Sequence, residues 1–331
     1  MARSADQLIR DAARSLAAVR VGNPRFEAEL LLAHALRRPR IFLFTHPEYA
    51  PAGAERSRFD ELLGRRLSGE PLQYVLGTAQ FRELTLKVEP GVLIPRSETE
   101  LLVDIAWRAL LRRRPDQGAA APSSPDARRG GWSGPRPEAR HDAPSTPRPW
   151  VIDVGVGSGA ILLGLLYESA QALTPDPSPC WFRPLGIDVS PVALRLTAEN
   201  ARLNGLPRPH LACGDLLAPV DPERPVAAIV SNPPYIATGE MPELPPEIRE
   251  HEPPVALHGG PDGLAVIREL LDQALGFVAR GTLLCIEIGA TQEEAVSREL
   301  TRCGLRGIAE IHPDLAGRPR VVCVDPGRGG R

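Results

Sequence analysis

The chain lacks the marks of several protein classes. Its five cysteines, Cys180, Cys213, Cys285, Cys303 and Cys323, are odd in number and form no Cys-x-x-Cys pair. That excludes a disulfide framework and a thiolate metal site, so they read as reduced core thiols of a cytoplasmic protein with no metal. No segment approaches the roughly 20 apolar residues that a membrane span needs. Residues 1–20 carry acidic groups at helical spacing where a leader would have a basic start and an apolar run. Neither sign of charge dominates: the formal net charge is −2 and the pI is near 6.4, which argues against a wholly basic nucleic-acid binder. What is present is 331 residues with a hydrophobic fraction of 43%, enough for a packed globular protein of about two domains.

The first 70 residues carry apolar side chains at helical spacing. Leu8, Ile9, Ala12, Leu16 and Val19 mark one helix, which Gly22-Asn23-Pro24 ends. Residues 26–36 and 54–67 mark two more. They read as a small helical bundle. Between Pro71 and Ile94 the texture changes to strand-like alternation at Phe81, Leu84, Leu86 and Val88, with Glu89-Pro90-Gly91 as the expected turn of a hairpin linking two domains. Ser97 and Glu100 then have the spacing of a capping box ahead of the apolar helix 101–111, which leaves Arg96 and Glu98 for a pocket. Residues 112–149 are rich in Pro, Gly, Ala and Arg and almost without apolar side chains except Trp132. They cannot bury enough surface to offset the entropy of ordering and read as a disordered insertion, with a shorter Pro-rich interruption at 174–184.

From Trp150 onward the pattern is α/β. Trp150-Val151-Ile152-Asp153-Val154 is a buried strand, Gly155-Val156-Gly157-Ser158-Gly159 a glycine loop, and a helix follows. Strand, glycine loop and helix make a nucleotide site, in which glycines admit close backbone approach and the helix start offers free N–H groups. Gly155, Gly157 and Ala160 also satisfy a dinucleotide fingerprint, so a nicotinamide cofactor stays open here. Later strands end at Asp188, at Asp215 with its neighbour Leu216, and at Ser231. All four loops then gather on one edge of a parallel sheet, the edge where such sheets bind ligands, with Asp188 placed to grip a ribose. Glu287, near the end of a further strand, reads equally as a pocket residue or a structural partner.

The loop after Ser231 is Asn232-Pro233-Pro234-Tyr235. Asn232 and Pro233 each precede a proline and are held extended, and neither proline has an N–H. The Asn232 side-chain oxygen and the Pro233 carbonyl are thus two acceptors suited to a planar –NH2 group, whose flat face Tyr235 could cover. A plain turn after a strand is the bland alternative.

Taken together, Asp153 to Gly159, Asp188, Asp215 and Asn232-Pro233-Pro234-Tyr235 resemble a class I S-adenosylmethionine-dependent methyltransferase acting on a planar nitrogen. Pro71-Leu72-Gln73-Tyr74-Val75-Leu76-Gly77 and Leu93-Ile94-Pro95-Arg96-Ser97-Glu98-Thr99-Glu100 narrow the resemblance to the peptide-chain release factor glutamine methyltransferases, over nearly the whole chain outside the insertion. The resemblance implies a Rossmann-like, mostly parallel seven-stranded sheet over residues 97–325, with residues 1–70 as a substrate-recognising bundle and 71–96 as the hairpin linker. It implies methyl transfer to the glutamine of the Gly-Gly-Gln loop of release factors, with neither membrane nor nucleic acid as direct partner. It assigns Asp153, Gly155, Val156, Gly157, Ser158, Gly159, Asp188, Asp215, Leu216 and Asn232 to the methyl donor, and Asn232, Pro233, Pro234 and Tyr235 to the substrate amide. Where the family usually reads Arg-Pro-Glu-Thr-Glu this chain has Ser97, which leans toward the glutamine methyltransferases of ribosomal protein L3. Glu98-Thr99-Glu100 and the N-terminal bundle lean back. A nucleic-acid amino methyltransferase could use the same loop. A dehydrogenase leaves that loop unexplained, and a non-catalytic adaptor would not need it.

Overall fold

A computed structural model describes residues 3–114, 148–172 and 180–329. Most of the insertion expected at 112–149, and residues 174–179 of the second interruption, lie outside the described residues.

Helices α1 (Ala5–Ala18), α2 (Pro24–Leu36) and α4 (Gly53–Leu67), with the short α3 (Ile41–Thr45) and α5 (Leu72–Leu76), form the N-terminal bundle. They share one core built on Leu8, Leu16, Leu31, Leu32 and Phe59. A capping box does begin a helix, but at Ser4 and Gln7 of α1. The one expected at Ser97 and Glu100 does not form. Glu100 instead accepts the Arg82 backbone N–H, and the Ser97 hydroxyl donates to Glu98. The helix α6 (Thr99–Leu111) starts without a side-chain cap.

The linker is a hairpin of β1 (Thr78–Phe81) and β2 (Leu84–Lys87), paired antiparallel with Phe81 opposite Leu84. Its turn is Arg82-Glu83, with Arg82 at φ 51°, and not Glu89-Pro90-Gly91. An arginine takes this strained position because its guanidinium is held by Asp104 on α6 and by Glu168 beyond it. The Glu89 turn redirects the chain instead, with Gly91 at φ 95°.

The large sheet has seven strands: β3 (Trp150–Val154), β4 (Arg183–Asp188), β5 (His210–Cys213), β6 (Val226–Ser231), β7 (Leu283–Glu287), β8 (Ala309–Pro313) and β9 (Pro319–Val324). Their spatial order is β5-β4-β3-β6-β7-β9-β8. The first five run parallel and β9 enters antiparallel beside β7. The strands read as continuous apolar runs because both faces are covered. One face packs on α6 and α7 (Ala160–Ala172); after the short α9 (Pro246–His251), α10 (Ala265–Ala279) and α11 (Glu293–Arg302) cover the other. Helix α8 (Pro191–Leu203) joins β4 to β5, with Ser190 as its side-chain cap and Pro191 at its first position. No helix among the described residues is long and apolar enough to cross a membrane.

Candidate active site

The order of the strands reverses between β3 and β6, and at their C-terminal ends lies a cleft. The glycine loop, Asp188, Gly214, Asp215, Leu216, Asn232 and Pro234 form its floor and sides. Gly91, Val92, Leu93, Pro95, Arg96 and Thr99 close it from the linker side, and Pro253, Val255 and Ala256 from a segment after β6. The Tyr74 hydroxyl, donating to Val92 O at 2.7 Å, holds the linker wall in place. Of the expected site residues, Gly155, Val156, Gly157, Ser158, Asp188, Asp215, Leu216, Asn232 and Pro234 line the cleft; Asp153, Gly159, Pro233 and Tyr235 stand behind it.

The glycine loop is wound tightly upon itself. Gly155, Gly157 and Gly159 have φ of 73°, 55° and 87°, and at Gly159 a side chain would also meet Thr197 Cγ2 at 3.0 Å. The free N–H groups expected here are largely absent. Gly155 and Val156 both donate to Ile187 O, Gly159 to Val156 O, Gly157 to Asp188 Oδ2, and Leu162 to Asp153 Oδ2. A loop whose donors are spent on the protein is a poor cradle for pyrophosphate, which needs them free; this counts against the dinucleotide reading. Asp153 therefore secures the start of α7 from beneath, fully buried, and burial pushes its carboxyl well up. Asp188 accepts from Gly157 and Ser190 N–H, each at 2.9 Å, and faces the cleft at the end of β4. Burial raises its pKa, and those backbone bonds pull the other way. Among the described residues, the one basic side chain on the wall is Arg96, and its charge is taken by the buried Glu252.

The loop after β6 leaves the strand as two prolines and turns its amide one way. Asn232 Nδ2 donates to Thr99 Oγ1 at 3.1 Å, so Oδ1 is the amide atom left for a ligand. Tyr235 does not lie over the cleft. Its ring packs against the core beneath the sheet's other face, and its hydroxyl donates to Glu287 Oε1 at 3.4 Å. The carboxylate and the loss of solvent push the Tyr235 pKa up to about 12, burial contributing most. Glu287 is fully buried, and burial raises it to about 7.

Residues 7–77 match the family described as PrmC N-terminal domain. Over 317 residues the chain is 38% identical to the release factor glutamine methyltransferase of Moorella thermoacetica, covering 95% of each chain. It is 34% identical to that of Mycolicibacterium smegmatis, again over 95% of each. The chain belongs to the release factor glutamine methyltransferase family. Among solved structures, the catalytic domain of hMettl16 in complex with the MAT2A 3′UTR hairpin 6 superposes with a TM-score of 0.50 at 12% identity, over 77% of this chain and 81% of that one. That likeness is one of fold, the class I methyltransferase fold.

The cleft of this methyltransferase suits S-adenosylmethionine. Its walls are mostly apolar, a carboxylate stands at the end of β4 for a ribose diol, and Arg96 is already paired, so among the described wall residues a sulfonium meets no free cation. Several contacts that shape the site carried no recognised signal in the sequence. Gly259, in a segment that reads as a proline-rich loop, and Gly263, which reads as the start of the next helix, press on the loop after β6. A side chain at Gly259 would come within 2.7 Å of Pro234 O, and one at Gly263 within 2.4 Å of Tyr235 O. Gln292 Nε2 donates to Tyr235 O at 2.9 Å. Glu252 accepts from Ile94 N–H and Arg96 and so ties the segment bearing Pro253 to the linker. The only signal for the glycines was their clustering, Gly259-Gly260-Pro261-Asp262-Gly263.

Proposed function

We propose that this enzyme transfers a methyl group from S-adenosylmethionine to the side-chain amide nitrogen of the glutamine in the Gly-Gly-Gln loop of a release factor. The observation that carries the reading is the amide of Asn232, with one N–H given to Thr99 and its oxygen left for the cleft. The donor supplies an electrophilic methyl on a sulfonium. Gly155, Val156, Gly157 and Ser158 would surround its amino-acid part, Asp188 its ribose, and Asp215 and Leu216 its base. Leu216 offers apolar contact at φ 46°, a backbone conformation that turns its side chain to the wall.

An amide nitrogen is a weak nucleophile because its lone pair is delocalised. Asn232 Oδ1 can accept one of its N–H groups at the cleft, and the carbonyl of Pro233, a residue buried behind the wall, is the candidate for the other; together they would orient the nitrogen and stabilise positive charge that grows only during transfer. Holding two reactants in line supplies up to about 7–11 kcal/mol of the barrier. No general base is assigned, since the methylated amide sheds its proton readily. Tyr235 supports the loop from behind and no longer needs to cover the substrate's face. The N-terminal bundle is read as the part that recognises the release factor.

The test is transfer of labelled methyl from S-adenosylmethionine to purified release factor, to its Gln→Ala variant in the Gly-Gly-Gln loop, and to ribosomal protein L3. Label on the release factor that vanishes with the variant is the expected result. Label on L3 alone would overturn the choice of substrate.

A further inference from the structure

Two walls of the cleft meet behind its surface at one carboxylate. Glu252 follows α9 and precedes Pro253, Val255 and Ala256, which close the cleft on one side. Its Oε2 accepts the Ile94 N–H of the linker wall at 3.3 Å, and its Oε1 accepts from Arg96 Nη2 at 2.5 Å. The Glu252 side chain is 1% exposed and that of Arg96 31%, so the anion is hidden and the cation faces outward. Among the described residues, the charged side chains lining the cleft are Arg96, Asp188 and Asp215. A guanidinium keeps its charge at every working pH. A pocket for a cationic ligand thus holds a fixed cation of its own, unless another group cancels it.

Methyl transfer changes the charge of the molecule in the pocket. S-adenosylmethionine carries a sulfonium, and the S-adenosylhomocysteine it leaves behind is a neutral thioether at the same sulfur. An uncompensated charge on the wall acts on the two differently, whereas shape and apolar contact act on both nearly alike. We propose that Glu252 is a positioning residue that sets the preference of the cleft between charged donor and neutral product, by cancelling the Arg96 guanidinium and holding it to the linker wall. The carboxylate is out of reach of water, bound to Arg96 by a charge-assisted hydrogen bond and fixed by a backbone N–H of the same wall, so the pair presents no net charge to the ligand. Glu252 touches neither reactant in this role and acts through Arg96. A plain brace between the two walls would shape the room for donor and product equally. A counter-charge moves their ratio. The proposal rests on S-adenosylmethionine as the methyl donor and is independent of which glutamine accepts the methyl.

The experiment is calorimetry at about pH 8 and low salt, giving the dissociation constants of S-adenosylmethionine and S-adenosylhomocysteine for wild type, Glu252→Gln, Arg96→Met and the Glu252→Gln/Arg96→Met double variant. Glutamine keeps an acceptor for the Ile94 N–H and removes the charge. Glu252→Gln is expected to weaken the donor relative to the product by roughly threefold to tenfold, the scale of one uncompensated unit charge in a partly solvated cleft. Arg96→Met leaves the carboxylate uncompensated and shifts the ratio the opposite way, toward the donor. In the double variant the ratio returns to within about twofold of wild type, because both charges are gone. Equal changes in the two affinities, whatever their size, would make Glu252 a brace and overturn the proposal, and so would a double variant that keeps the ratio of Glu252→Gln. Should Glu252→Gln fail to fold, Arg96→Met decides alone at its partly exposed position, and an unmoved ratio there sinks the idea. A wild-type enzyme that binds neither molecule would defeat the donor reading itself, whereas binding of both with an unmoved ratio defeats only this proposal.

Discussion

At the scale of single residues, the chemistry falls on Asn232, which stands between the buried Thr99 and the cleft. Among the described residues its side chain makes one hydrogen bond, through Nδ2, and turns its oxygen outward. Replacing it with alanine removes an acceptor whose worth rises as the substrate amide gains charge, so the loss belongs to turnover and not to binding. Asn232→Ala is expected to leave donor affinity within severalfold and to lower turnover by roughly 10²-fold, the scale of one transition-state hydrogen bond. Steady-state turnover at saturating donor and release factor, beside calorimetry with the donor, separates the two; unchanged turnover would remove Asn232 from the mechanism. The same scale explains why Tyr235 is misread from the sequence. An aromatic ring next to an amide-binding loop suggests a cover, but the Tyr235 phenol finds an acceptor in the buried Glu287 carboxyl behind the wall and gives that carboxyl one donor.

At the scale of elements, the hairpin β1–β2 needs a partner for its outer edge, and helix α8 supplies one. Asn200 accepts from Lys87 N–H and donates to Lys87 O; one turn on, Asn204 does the same with Thr85. Two side-chain amides at i and i+4 thus meet alternate residues of a strand, whose repeat of about 6.6–6.8 Å lies near the 6 Å spanned by one helical turn. Asn200 alone reaches further, donating to Ser158 O of the glycine loop at 2.8 Å. Asn200→Ala should therefore lower stability by about 2–3 kcal/mol, through unpaired backbone groups, and also weaken donor binding severalfold. Asn204→Ala should cost about 1 kcal/mol and leave the donor's affinity unchanged. Denaturant unfolding and calorimetry on both variants check this, and equal effects on the donor would separate Asn200 from the site. These asparagines show what the sequence could and could not convey. Strands, helices and the cleft's edge are written in local periodicity and in turn residues, which is why the order from β3 to β9 and the roles of Ser190 and Pro191 were readable. Contacts across more than a hundred residues have no local signature. The failed capping box at Ser97 has the same cause: the Glu100 carboxylate was claimed by the distant Arg82 backbone.

At the scale of the whole molecule, ion pairs join the bundle to the cleft, and one buried carboxyl ties stability to pH. Arg66, in the bundle, pairs with Glu27 and with Glu247 of the segment that carries Glu252, and Glu252 in turn holds Arg96. Arg66 and Glu252 are the buried ends of these pairs while Glu247 is exposed, so removing a partner leaves a buried charge at Arg66 or Glu252, whereas the link through Glu247 is itself partly screened by solvent. Glu287 has no such ion-pair partner among the described residues. Its folded pKa of about 7 lies above the ordinary 4.5, so folding favours its neutral form. The stability this gives is complete below about pH 4.5 and is lost as pH rises through about 7, a swing of about 3 kcal/mol. Other groups move with pH too. Burial raises Asp188, whereas Arg65 holds Glu70 down and Arg268 holds Asp262 down, so the total curve mixes signs. Subtracting Glu287→Gln isolates the one group, since a glutamine cannot ionise and keeps the others in place. The unfolding free energy of wild type minus that of Glu287→Gln should fall by about 3 kcal/mol between about pH 4.5 and 8.5, measured by denaturant unfolding. A difference that stays flat would mean that Glu287 ionises as freely in the folded protein as in water. The deeply buried, half-satisfied carboxyl would then not exist in solution.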